Sequence, residues 1–116
     1  MKTREHLRVP LPIPIHLKVI DVDDDFRLTR LEDISWGGVF AVLEPPAILG
    51  SRVAIQFTLA EDNVSLELQG TVVRNRKPAA GLPGGIGIQF DALDDDSRSL
   101  IQQIINEEIR GLLQSV

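Results

Sequence analysis

The sequence predicts a small antiparallel β-barrel followed by one helix. Apolar residues alternate with polar ones over several short segments, and this period of two is typical of strands that bury one face. Turn-forming stretches such as DVDDD, AEDN and KPAAGLPGG separate about six such segments. Only the end of the chain changes to the three- and four-residue spacing of an amphipathic helix. Short strands in this number favour a closed barrel with the helix over an end or a flank.

The composition is that of one folded domain. The chain has 116 residues, of which 43 % are hydrophobic and 25 % charged. It contains no cysteine, which excludes disulfides and thiolate metal sites. The formal net charge of −5 argues against a protein that coats duplex nucleic acid, because such a protein needs a basic surface. No apolar run is long enough to cross a bilayer, and the N-terminus MKTREHLRVP lacks the apolar core of a signal peptide. We therefore expect a cytoplasmic protein without membrane insertion.

The strands are predicted in order along the chain. The first runs from Val9 to Val19, with every second residue apolar and three prolines on the other face. Because the missing proline N–H groups lie along one flank, that flank is predicted to be a free edge. Gly70 is predicted to mark a bend in a later strand. The other strands are expected to cover residues 26–35, 39–43, 52–59, 64–74 and the segment IGIQFDAL.

The helix is predicted after a run of acidic residues. Apolar residues recur at helical spacing from Leu100 to Leu113, and Asp94 to Asp96 stand just before them. Acids at this position cap free N–H groups and meet the positive end of the helix dipole. This explains the acidic run better than cation binding, and two histidines without cysteine provide no metal site. The predicted parts are a mobile arginine arm, a barrel and a helix, at residues 1–8, 9–93 and 94–116.

The segment DISWGG carries residues with binding chemistry. Asp33 and Ser35 lie two apart at a strand end, so both side chains are expected on one face. A carboxylate accepts the N1–H and N2–H donors of a guanine edge, and a hydroxyl donates and accepts beside it. Gly37 and Gly38 would tolerate positive φ and let a flat or anionic ligand reach main-chain N–H groups. On these residues alone, a tight turn in which Asp33 and Ser35 bond the backbone is the favoured interpretation.

The segment TREHLR places Arg4 and Arg8 four residues apart, just before the first strand. Each guanidinium can fork onto a phosphate, bind the O6/N7 edge of guanine or stack on a base. For an isolated pair, two exposed arginines on a frayed N-terminus are the favoured alternative. Three further residues are candidates for accessory contacts: Trp36, Gly37 and Arg74. The only tryptophan, Trp36, suits the ligand site, a partner contact or packing over the barrel rim. For Arg74 a solvated loop is the favoured interpretation, and an accessory phosphate contact is the alternative.

Together, the two segments resemble the motifs of the PilZ domain family. R-x-x-x-R before the first strand is followed by D-x-S-x-x-G at a strand junction. The matching residues are Arg4 and Arg8 in the first motif and Asp33, Ser35 and Gly38 in the second. GIGIQF is similar to the last-strand pattern of the family, and the closing helix stands in the expected place. The resemblance covers essentially the whole chain and implies a six-stranded PilZ-type barrel.

The resemblance implies a bacterial receptor for the second messenger cyclic di-GMP, in motility or biofilm regulation. By position, Arg4 and Arg8 would clasp phosphates and guanine from a mobile arm, and the second motif would hold a guanine against the barrel. Binding would change the arm, and an unidentified downstream protein would respond to the changed surface. Thr3 stands before the first motif where some members have another arginine, which leaves open whether one ligand molecule or a stacked pair binds. The protein is expected to be a monomer or a weak dimer.

Two other classes of function are considered on the sequence. A PilZ-like interaction module without a nucleotide, acting in pilus or motility assembly, is the alternative, although such members typically lack the arginine motif. An enzyme would need a nucleophile with a positioned base or a metal site, and the sequence presents neither. Glu32 and Asp33 are neighbours on a strand and are therefore expected to face opposite sides rather than form a carboxylate pair. We expect no enzyme, no metal and no cofactor.

Overall fold

The computed structural model describes residues 8–59 and 64–114. The AEDN turn and the first seven residues of the predicted arm lie outside these ranges. In chain order the described strands are β1 (Val9–Pro10), β2 (Pro14–Val19), β3 (Arg27–Ile34), β4 (Gly38–Val42), β5 (Arg52–Leu59), β6 (Val64–Arg76) and β7 (Gly85–Phe90). One helix, α1 (Asp95–Gln114), follows them.

The strands close into a barrel through antiparallel pairs. Around the barrel the order is β3-β2-β5-β6-β7-β4, and β4 returns to β3. The short β1 pairs with β3 beyond the end of β2, so β1 and β2 together correspond to the first predicted strand. The predicted six-stranded antiparallel barrel with a C-terminal helix is confirmed.

The first strand is interrupted where its prolines lie. The Ile13 N–H donates to the Leu11 carbonyl oxygen across Pro12 (2.8 Å), which makes a three-residue turn between β1 and β2. The Leu11 N–H donates to the Glu32 carbonyl oxygen of β3 (3.0 Å). The backbone nitrogens of the prolines on either side of Leu11 therefore point away from β3. On that side β2 pairs with β5 only from His16 onward. Among the described residues, the proline-bearing flank has no strand partner, as its missing N–H donors predict.

Aliphatic side chains fill the barrel interior. The predicted alternation places the apolar residues of β2 and β5 inside, and both faces of β4 are buried. The apolar face of α1 extends this core beside β1. The largest fully buried side chains include Phe57, Ile15, Leu17, Leu31, Ile34, Ile55, Ile86 and Ile101.

The helix begins at the acidic run, as predicted. The Ser97 N–H donates to the Asp94 carboxylate (2.7 Å), and this hydrogen bond lowers the pKa of Asp94. Asp94 is therefore the N-cap, and Asp95 and Asp96 lie in the first turn near the positive end of the helix dipole. Within the described ranges, no helix is both long and apolar enough to span a bilayer.

Strand β6 contains a bulge that the sequence did not predict. Its register on β7 shifts between Val72 and Arg74, so Val73 is the extra residue of a β-bulge. Gly70, where a bend is predicted, pairs with both β5 and β7 and permits a close approach of β7, because a Cβ at this position would overlap the Gln89 carbonyl oxygen. The bulge places Val73 and Arg74 in succession on the outer surface, where both line the cavity described below.

Candidate ligand-binding site

A bulge in β3 places two carboxylates on the outer surface of the barrel. The register of β3 on β4 shifts between Leu31 and Asp33, while Leu31 and Ile34 are both fully buried. The two residues between them, Glu32 and Asp33, therefore both turn outward. The expectation that they face opposite sides is wrong, because simple alternation fails where one strand carries an extra residue. Each carboxylate binds a different arginine.

Arg8 contacts the two polar side chains of the second motif. Its Nε and Nη2 atoms donate to Asp33 Oδ1 at 2.8 and 2.5 Å, and its Nη1 atom lies 3.4 Å from Ser35 Oγ. Arg8 directly precedes β1, in which Val9 pairs with Ile34 of β3. This pairing holds the start of the described chain over the end of β3. The structure thus brings Arg8, Asp33 and Ser35 together, as the spacing of the motifs predicts.

Ser35 also closes the turn between β3 and β4. Its N–H and its hydroxyl both donate to the Gly38 carbonyl oxygen, at 2.8 and 3.3 Å, and its side chain is 1 % exposed. The Gly37 carbonyl oxygen accepts the Phe90 N–H of β7 (2.8 Å), which fixes the turn against the last strand. The tight-turn interpretation is therefore correct for Ser35, whose hydroxyl contacts the turn and Arg8 at once.

Gly38 is glycine because of a close strand contact. The glycines with positive φ among the described residues are Gly50 (89°) and Gly81 (80°), so Gly38 does not use the positive φ that a glycine tolerates. Gly38 pairs with Gln89, and a Cβ on it would overlap the carbonyl oxygen of Ile88 in β7. The absence of a side chain at this position lets β4 approach β7 beneath the cavity.

A cavity of about 210 Å3 lies between Arg8 and the bulge of β6. Its lining combines two arginines with glycine-rich backbone from β4 and β7: Arg8, Ser35, Gly37, Gly38, Val39, Val73, Arg74, Gly87, Ile88 and Gln89. Arg74 lies across Gly87, and its guanidinium stands 5.6 Å from the centre of the Phe40 ring. In the described part of the chain, Arg74 forms no ion pair. The cavity therefore contains a cation that no carboxylate of residues 8–59 or 64–114 pairs with.

A second ion pair borders this surface and was not predicted. Arg76 donates to both carboxylate oxygens of Glu32, at 3.1 and 2.6 Å, and its guanidinium stands 4.7 Å from the centre of the Phe40 ring. Phe40 thus lies beneath two guanidinium groups, those of Arg74 and Arg76, in a cation–π arrangement. The sequence offered no signal for this pair, because its members are 44 residues apart and meet through the bulge of β3.

The ion pair of Glu32 predicts a dependence of stability on pH. The hydrogen bond from Arg76 holds the pKa of Glu32 below its ordinary value of 4.5, with Coulomb attraction from Arg76 and Arg30 acting in the same direction and burial opposing them. Because the folded-state pKa is the lower one, the contribution is complete above pH 4.5 and is lost as the pH falls through that lower value.

We expect Glu32→Gln to lower the free energy of unfolding by about 1 kcal/mol at neutral pH, since both partners are largely sheltered from solvent. The difference from the unmutated protein should shrink toward zero in acid, where Glu32 is protonated. Urea unfolding at a series of pH values from neutral to about 2, which is acidic enough to protonate a carboxyl whose pKa lies below 4.5, measures this. An undiminished difference at the acidic end would show that Glu32 stabilises the barrel by packing rather than by charge.

Trp36 lies outside the cavity, although it stands between Ser35 and Gly37 in the chain. It packs against the core and lines a separate groove of about 510 Å3 with polar residues of α1, among them Arg98, Gln102, Asn106 and Arg110. Trp36 therefore packs on the barrel and does not line the cavity, while its contact with a partner stays a prediction.

Arg4 lies outside the described residues, so its assignment stays a prediction. The described residues contain no group of three or more His, Cys, Asp or Glu side chains that could hold a metal ion. The chemistry that they do present is a carboxylate, a hydroxyl and two guanidinium groups around one shallow cavity.

A closed six-stranded barrel with one C-terminal helix and an Arg-Asp-Ser cluster at the β3–β4 turn defines a domain of the PilZ class. The sequence model of the PilZ domain matches residues 2–107, and the chain belongs to the PilZ domain family. The family predicted from the two motifs is confirmed.

The chain is similar to several named proteins over most of its length. It is 29 % identical over 115 residues to the alginate biosynthesis protein Alg44 of Pseudomonas putida, covering 97 % of this chain but only 28 % of Alg44. The PilZ domain of CeSA from a cellulose-synthesizing bacterium is 27 % identical, with a TM-score of 0.58 over 91 % of this chain and 97 % of that one. The PilZ domain of Escherichia coli YcgR, solved with c-di-GMP, shares the fold at 20 % identity, with a TM-score of 0.75 over 98 % and 97 % of the two chains.

Proposed function

We propose that this protein is a cyclic di-GMP receptor that signals through another protein. One observation carries the proposal: Arg8, which precedes Asp33 by 25 residues and Ser35 by 27, meets both side chains beside a cavity with a further cation. The occurrence of c-di-GMP with the similarly folded YcgR domain supports the choice of ligand. The chain spans only 28 % of the length of Alg44. The activity of the whole of Alg44 is therefore not assigned to this chain.

Each group at the site has a role that suits its chemistry. The Asp33 carboxylate accepts the N1–H and 2-amino donors of guanine, and the Ser35 hydroxyl supports the same edge. Arg8 binds the phosphate diester, since a guanidinium forks onto phosphate oxygens. Arg74 supplies a second positive charge or a flat stacking surface from the opposite wall. Arg4 adds a further contact as the arm closes over the ligand.

The turn that carries the site offers a route to a partner protein. Ser35 and Gly37 line the cavity, whereas Trp36 between them lines the groove along α1. A ligand that moves this turn therefore changes the surface next to the helix. We propose that a downstream protein binds according to the state of this surface and of the arm, and that the receptor acts in the cytoplasm as a monomer or a weak dimer.

Calorimetric titration of the purified protein with cyclic di-GMP tests the proposal. We expect saturable heat with cyclic di-GMP and none with cyclic di-AMP at the same concentrations, because adenine presents an acceptor where guanine presents its N1–H donor. The fluorescence of Trp36 should change over the same concentration range, which provides a second readout from the turn. Absence of heat and of a fluorescence change with a folded protein would overturn the receptor function and favour a nucleotide-free interaction module.

A further inference from the structure

Arg8 contacts both the carboxylate and the hydroxyl of the second motif. Two of its nitrogens donate to Asp33 Oδ1, and the third lies 3.4 Å from Ser35 Oγ. One planar guanidinium thus covers both the carboxylate and the hydroxyl. The two side chains of the ion pair are about equally exposed, Arg8 at 34 % and Asp33 at 30 %. The pair is therefore open to replacement from solvent.

A guanidinium presents the same donors as the edge of guanine. In arginine, Nε–H and one terminal amino group are attached to a single carbon and point in the same direction. In guanine, N1–H and the 2-amino group are attached to a single ring carbon in the same way, whereas adenine has an acceptor at N1. A carboxylate that binds one of these edges is suited to bind the other. Arg8 therefore occupies Asp33 with the same pair of donors that the proposed guanine ligand would use.

We infer that Arg8 is a built-in competitor of the ligand, which guanine must displace from Asp33 before Arg8 can bind phosphate. This inference rests on the proposed function. Binding is then an exchange: the guanine edge takes over the carboxylate, and the released guanidinium turns to the phosphate diester of the same ligand. Because breaking the ion pair opposes binding, the pair weakens the affinity of the receptor and links ligand binding to movement of the chain at Arg8.

The exchange has a thermodynamic signature that independent contacts lack. Removing Arg8 deletes a phosphate contact but also removes the competitor, and removing Asp33 deletes a base contact but also releases Arg8. Each single substitution therefore weakens binding by less than its contact is worth. The double variant loses both contacts, but the ion pair that opposes binding is removed only once, whereas the product of the two single losses counts its removal twice. The fold-loss of the double variant must then exceed the product of the two single fold-losses.

The test is a double-mutant cycle with cyclic di-GMP as the ligand, using Arg8→Ala, Asp33→Ala and the double variant. We expect the loss in the double variant to exceed the product of the single losses by about three- to five-fold, which is the size of a partly exposed ion pair. A loss equal to the product would mean that the contacts are independent. A smaller loss would mean that Arg8 and Asp33 stay paired in the complex. Either result would overturn the exchange and leave the receptor function intact.

Arginine side-chain NMR of the full chain follows the exchange directly. The Arg8 Nε–H signal is assigned by its disappearance in Arg8→Lys, and its shift in Asp33→Ala shows that Asp33 is its partner in the free protein. Saturating cyclic di-GMP should move this signal away from its carboxylate-bound position. If the signal stays in place while the ligand binds, guanine uses the other Asp33 oxygen and the exchange is wrong. If cyclic di-GMP does not bind the unmutated protein at all, the proposed function fails and the exchange fails with it.

Discussion

Replacing Arg8 with alanine is expected to weaken cyclic di-GMP binding about ten-fold or more while the barrel stays folded. In the proposed complex the Arg8 guanidinium forks onto the phosphate diester, and each hydrogen bond of this charge-assisted kind contributes about 1.5–3 kcal/mol. This contribution exceeds that of the partly exposed ion pair with Asp33 that binding breaks. The contacts of Arg8 lie on the rim and not in the core, so loss of this side chain should leave the melting temperature within a few degrees. Asp33→Ala is expected to weaken binding to a similar extent.

The chain offers a matched control for this substitution. Arg27 is also an ion-paired arginine on the outer surface, with its Nη2 atom 2.7 Å from Asp23 Oδ1, and it does not line the cavity. Arg27→Ala removes an equal charge and a similar surface pair, so it should leave the ligand affinity unchanged. Parallel calorimetry on Arg8→Ala and Arg27→Ala distinguishes a specific ligand contact of Arg8 from an effect of net charge. Equal losses in both variants would mean that net charge alone governs binding and that the assignment of Arg8 is wrong.

Local pattern was sufficient to predict the architecture of this domain. The alternation of apolar residues predicts the strands, and the change of period predicts the helix, because both signals follow from which face is buried. The acidic residues before the helix predict its N-cap for an equally local reason, and the structure places Asp94 there. The common side of Asp33 and Ser35 also follows from a spacing of two. These features need no knowledge of which strands become neighbours.

The features that the sequence did not predict depend on contacts between strands. The bulges at Glu32 and Val73 arise from the register of β3 on β4 and of β6 on β7, and no residue within a single strand specifies that register. The consequences are large, since one bulge turns Glu32 and Asp33 to the same surface and the other delivers Arg74 to the cavity. The spacing of the two motifs therefore predicted that Arg8, Asp33 and Ser35 belong to one site. Arg74 was a candidate accessory contact on the sequence, but its place in the cavity follows from the bulge of β6 and required the folded barrel.

Gly38 provides the largest expected effect on stability, and its role also depends on a neighbouring strand. The sequence indicated only that a glycine here tolerates positive φ and makes room for a ligand, whereas the structure requires room for the Ile88 carbonyl group. An alanine Cβ would overlap backbone rather than a movable side chain, so β4 and β7 would have to separate. We expect Gly38→Ala to lower the free energy of unfolding by about 3 kcal/mol and to weaken ligand binding as the floor of the cavity shifts.

Gly111→Ala is the matched control, because it makes the same chemical change where nothing lies within 4 Å of the added Cβ. This glycine lies in α1, where alanine is the better helix former, so the same substitution should stabilise the protein by about 0.5–1 kcal/mol. Urea unfolding of the two variants measures both effects, and opposite signs are the expected result. A small loss in Gly38→Ala would mean that β4 can move away from β7 with little penalty. The approach of the two strands would then not be what requires glycine in the D-x-S-x-x-G motif of this chain.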